Sequence, residues 1–73
     1  MAGVDIQQRV GRTLRARRKR SGLTQEQLAG AADMHPTEVS RLERGVRDPR
    51  LSTLVRLARA LNIELADLVR GVR

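Results

Sequence analysis

The arginines carry the most conspicuous chemistry in this sequence. Fourteen of its 73 residues are arginine and one is lysine, against eight aspartates and glutamates. The net charge of +7 points to a polyanionic partner, because clustered cations gain free energy by releasing phosphate counterions. On charge alone, an acidic membrane surface or a simply well-solvated protein surface is also compatible. Arg41 has the most specific opportunity. It lies between Val39 and Leu42 in a stretch of helical pattern. If those two side chains point inward, Arg41 points outward. An outward arginine can hold guanine O6 and N7 with two hydrogen bonds, worth about 1–3 kcal/mol of discrimination. The alternative is a phosphate contact or a solvated surface charge.

Other chemistry finds little support. There is no cysteine, hence neither a disulfide nor a thiolate metal site. His35 is the single histidine and has no metal partners or nucleophile pattern around it, so no metal and no cofactor is expected. It is expected to cap a helix or, when protonated, to touch a phosphate. No Gly-rich phosphate loop or paired-carboxylate signature is present, and an enzyme is not expected. Single-stranded nucleic acid is usually stacked on aromatic rings, and the chain has none. No apolar run approaches the roughly 18 residues needed to span a bilayer. Residues 1–8 lack a secretory pattern. A cytoplasmic, DNA-associated protein without membrane contact is expected.

The elements that must position Arg41 are helical. Ile6, Val10 and Leu14 repeat at spacing four on a first helix from about Asp5 to Lys19, which Ser21-Gly22 ends. Thr24 and Gln27 form a capping box that opens a second helix, ending near Ala32, with Asp33 suited to a left-handed turn. A third helix, about 36–44, opens after His35 with Pro36 in its first turn and is terminated by Gly45. The three- or four-residue gap between the second and third helices forces a sharp crossing. A fourth helix from about Leu51 to Leu61 should turn Leu51, Leu54, Leu57, Ala58 and Leu61 inward, with Asn62 as its stop. A fifth, about Glu64 to Arg70, carries Leu65, Leu68 and Val69. The expected fold is all-α, five short helices in one domain spanning 1–73.

The stretch GLTQEQLAGAADMHPTEVSRLERGVRDP closely resembles the Xre family, the Cro and phage-repressor type of helix-turn-helix domain. LSTLVRLARALNIELADLV resembles that family's fourth and fifth helices, so the likeness covers about residues 10–69. The resemblance implies that the helices form a compact five-helix bundle. It also implies a sequence-specific transcriptional regulator of double-stranded DNA, usually a homodimer on an inverted repeat. The third helix would enter the major groove and the second would brace it.

Within that frame, Thr37 and Glu38 occupy the turn that enters the groove first and join Arg41 as candidate base readers. Thr37 could meet a thymine methyl, and Glu38 could accept from cytosine N4 or merely suit the helix dipole. The resemblance implies a phosphate contact for Gln25. Ser40, Arg44, Arg47 and Arg50 flank the reading face and are expected to contact phosphates, or to be surface charge. Pro36 replaces a polar residue common in the family and offers only van der Waals contact. The resemblance also implies a structural ion pair between Arg18 and Glu43. Arg17 stands where relatives often have an apolar residue. A dimer surface is expected around Leu65, Leu68 and Val69. The alternative function is an antitoxin or adapter whose main partner is a protein.

Overall fold

Residues 2–70 are described in a computed structural model of the chain, with side chains from residue 6 onward. Residue 1 and residues 71–73, included in the single domain expected over 1–73, lie outside the described residues. Five helices follow one another: α1 (Ala2–Arg20), α2 (Gln25–Ala31), α3 (Pro36–Glu43), α4 (Leu51–Ala60) and α5 (Leu65–Val69). No strand occurs among the described residues. The first helix begins three residues earlier than its apolar stripe suggests.

One local device ends the first four helices. Gly22, Asp33, Gly45 and Asn62 all take positive φ, between 55° and 74°. In each case the next N–H reaches back to the carbonyl five residues earlier: Leu23 to Arg18, Met34 to Ala29, Val46 to Arg41 and Ile63 to Ala58. This left-handed cap satisfies carbonyls that would otherwise be orphaned at the helix end. The apolar residue that follows each cap also packs against the core at Leu23, Met34 and Ile63, while Val46 remains exposed. Helix starts are fixed as well. Thr24 Oγ1 accepts from the Gln27 N–H, and Gln27 Oε1 accepts from the Thr24 N–H. At α5 the Asp67 carboxylate accepts from the Glu64 N–H.

Each helix places one side chain at the centre: Leu14, Leu28, Val39, Leu57 and Leu68 are all essentially inaccessible. α3 packs against both α1 and α2, while α5 packs on α4 and α1. Arg17 joins this frame through Asp67 at 3.7 Å, which ties α1 to α5 by charge at a position where the family resemblance implies an apolar residue.

Two expectations are corrected. Leu51 is 67% exposed rather than inward. At about 100° per residue it lies at the edge of the stripe centred on Leu57 and Leu61, and as first residue of α4 it has no preceding turn to cover it. Leu68 cannot belong to an open dimer surface, because α5 uses it to anchor itself in the core, and Leu65 and Val69 are half-buried.

Glycines decide how closely α1 approaches α3. A Cβ at Gly11 would run into the carbonyl oxygens of Leu42 and Glu43. A Cβ at Gly45 would lie 2.8 Å from Gln8 Cα. Gly30 is different: it is exposed, helical, and a methyl there would meet nothing within 4 Å. Gly30→Ala should therefore stabilise the fold by about 0.5–1 kcal/mol. Gly11→Ala should destabilise it by about 1–3 kcal/mol through overpacking. Urea unfolding of both variants checks this, and equal effects of the same sign would contradict it.

Candidate nucleic-acid interface

The inner edge of α3 is fixed by a charged network. Glu43, the last residue of α3, is buried, as is Arg18 on α1. Arg18 Nε donates to Glu43 Oε2 at 2.6 Å and Nη2 donates to Oε1 at 3.0 Å, a two-pronged pair. Its remaining arm, Nη1, donates to the Leu23 carbonyl at 2.9 Å. Gln25 Nε2 adds a third hydrogen bond to the carboxylate, 3.1 Å from Oε1. One carboxylate thus joins α1, α2 and α3. No buried polar side-chain atom among the described residues lacks a partner. The hydrogen bond from Arg18 to the Glu43 carboxylate, against the cost of burial, raises the guanidinium pKa above its ordinary value. The arginine therefore stays charged at any working pH.

The start of α3 is capped by His35, whose Nδ1 accepts from the Thr37 N–H at 3.4 Å, and Pro36 fills the first helical position. The turn before it is held by Arg56 of α4, whose Nη2 donates to the Asp33 carbonyl at 3.1 Å. Val39 and Leu42 face the core, so Thr37, Glu38, Arg41 and Arg44 are left exposed on the outer side, with Ser40 half-buried.

The structure sorts the sequence candidates into two hollows. Glu38, Arg41, Arg47 and Arg50 line a groove of about 520 Å³ between α3, the following loop and α4. Gln25, Ser40 and Arg44 line a second hollow of about 250 Å³, floored by Arg18 and Glu43. Thr37 lines neither and stands exposed on the first turn of α3. Two cations in these hollows were not singled out from sequence: Arg56 in the first and Arg15 in the second. Arg15 had a usable signal, since it lies one turn before Arg18. Arg56 looks like any surface arginine until the turn it holds is placed.

An α-helix pair crossing through a short turn, with a cationic outer face on the second helix, is the arrangement of a helix-turn-helix reader. A helix-turn-helix family, HTH_3, matches residues 14–68. The chain belongs to the Xre-type helix-turn-helix family of transcriptional regulators. This regulator is 38% identical over 66 residues to control protein C.SmaI of Serratia marcescens, an alignment covering 90% of this chain and 79% of that protein. Its fold matches the restriction-modification controller C.AhdI from Aeromonas hydrophila with TM-score 0.84 and 37% identity, covering 85% and 94% of the two chains. It also matches the clp gene regulator ClgR from Corynebacterium glutamicum with TM-score 0.82 and 32% identity, covering 86% and 82%. Among the described residues no helix is long and apolar enough to cross a membrane.

Breaking the buried pair in this regulator should leave an uncompensated carboxylate. Arg18→Met should destabilise the fold by about 3 kcal/mol, and adding Glu43→Leu should restore most of it. Chemical denaturation of the two single variants and the double variant checks this. Additive losses would show that the two groups do not depend on each other.

Proposed function

We propose that this helix-turn-helix regulator reads duplex DNA sequence-specifically, with α3 in the major groove and two copies on an inverted repeat. The observation that carries the reading is the division of α3. Its inner face is tied to α1 and α2 through Glu43, while Thr37, Glu38 and Arg41 stand exposed on the outer face. Arg41 is the principal base reader, with guanine O6 and N7 as its complement. Thr37 and Glu38 contribute at neighbouring positions. Gln25, Ser40, Arg44, Arg47 and Arg50 grip phosphates and set the register. The likeness to the restriction-modification controller C.AhdI over most of both chains favours a controller-type regulator over an antitoxin or adapter whose main partner is protein.

Self-association is assigned to the loop between α3 and α4. Val46 within it and Leu51 at its end are the large exposed apolar side chains of the described residues. A twofold axis beside this loop would set two α3 helices side by side, and half-sites one turn, about 34 Å, apart. Leu51→Asp should then shift the protein to monomer in sedimentation while leaving its helix content unchanged. An unaltered dimer would move the interface elsewhere.

Selection from random duplex pools at physiological salt tests the main reading. An enriched inverted repeat is expected, and no enriched motif would overturn it. On the selected site, Arg41→Ala should relax preference at one base position per half-site, losing about 1–3 kcal/mol of discrimination. Arg47→Ala should weaken all sequences alike. Identical losses for both variants on every sequence would reverse these roles.

A further inference from the structure

The second hollow brings together groups from three helices that nothing in the sequence pattern joins. Arg15 comes from α1, Gln25 from α2, Ser40 and Arg44 from α3, over a floor of Arg18 and Glu43. A carboxylate in such a place would ordinarily repel an anion. Here it is spent: Glu43 accepts two bonds from Arg18 and one from Gln25, and all three nitrogens of Arg18 that could point outward are turned to Glu43 and the Leu23 carbonyl. The floor is therefore electrically neutral as a pair. The rim is not, because Arg15 and Arg44 are both exposed and carry full charge. Arg44 uses only its Nε, toward the Ser40 carbonyl at 3.4 Å, which aligns the side chain along the helix.

Two cations on the rim, a half-buried serine hydroxyl able to donate and the second N–H of the Gln25 amide offer donors around a small hollow whose one carboxylate, Glu43, is already paired with Arg18. We infer that this hollow takes one phosphodiester group of the duplex, shared between α1, α2 and α3, and that Arg15 is the phosphate-binding residue which α1 contributes. The inference rests on the DNA-binding reading and deepens it. Gln25, Ser40 and Arg44 grip a single phosphate together with α1, where the sequence treated them as separate contacts. Glu43 and Arg18 act as positioning residues: the carboxylate holds the Gln25 amide at the rim, so the same network that orients α3 also sets the distance from α3 to the backbone. Arg15 belongs to a run of seven basic residues between 9 and 20, and it is the one in that run that lines the hollow beside Arg18.

The test compares salt dependence of duplex binding for the wild-type chain, Arg15→Gln, Arg15→Lys and Arg59→Gln. The last removes an equal charge from α4 at a position lining neither hollow. Binding is followed on both a selected duplex and a random-sequence duplex. Arg15→Gln should lower the slope of log K against log salt by about 0.9 per bound protomer on both duplexes. Arg15→Lys should keep most of the slope, and Arg59→Gln should leave it unchanged. Equal slope losses for Arg15→Gln and Arg59→Gln would overturn the site and leave only diffuse charge. An unchanged slope for Arg15→Gln, with sequence selection intact, would overturn the site while leaving the DNA reading standing. No salt-dependent duplex binding by the wild-type chain would overturn both. A final arm replaces chloride by inorganic phosphate at equal ionic strength. Phosphate should compete no better than chloride. Stronger competition against the wild-type chain than against Arg15→Gln would mean that the hollow is built for a free phosphate.

Discussion

A carboxylate buried at the end of a helix must find its counter-charge, and Glu43 finds it on another helix. Arg18 meets it with two nitrogens and gives the third to the Leu23 carbonyl, at the point where α1 turns toward α2. Buried pairs of this kind add little net stability relative to apolar packing, but they tolerate few alternative arrangements. Through it the end of α3 is joined to α1 and, by way of Gln25, to α2. The glycine contact acts at the same place, since Gly11 lets the carbonyls of Leu42 and Glu43 come against the α1 backbone. Charge and close approach fix the same end of the same helix.

The other end of α3 is held by different means. His35 caps it, Pro36 starts it without an orphaned N–H, and Arg56 secures the preceding turn through the Asp33 carbonyl. Val39 is fully buried at the centre. A helix fixed at both ends and in the middle presents its outer residues with little freedom to rearrange. Rigid presentation matters to a groove reader, because base-edge hydrogen bonds discriminate only when the donor geometry is set before contact.

Much of this fold was legible in the sequence because its helix boundaries are written in local chemistry. Gly22, Asp33, Gly45 and Asn62 are residues that tolerate positive φ, and each takes it. The capping box at Thr24 and Gln27 is equally local. What was not legible depends on which neighbour covers which face. Periodicity placed Leu51 in the stripe of α4 but could not show that its turn of helix is uncovered. It marked Leu68 as apolar but could not distinguish burial in the chain's own core from burial against a second copy. The Gln25 bond to Glu43 spans 18 residues and follows from no spacing rule. Arg15 could be placed one turn before Arg18 from spacing alone, but that it lines a hollow with Gln25, Ser40 and Arg44 follows only from the docking of α1.

The central claim is that the outer face of α3 meets the bases while its inner face stays locked to α1 and α2. Amide chemical-shift mapping of the labelled protein, titrated with a duplex it selects, tests this most directly. The largest shifts are expected at Thr37, Glu38 and Arg41, with smaller ones at Gln25, Ser40 and Arg44 and little change at Leu57 and Leu68. Largest shifts on α4 and α5, with the amides of α3 unmoved, would contradict the assignment of α3 as the reading helix.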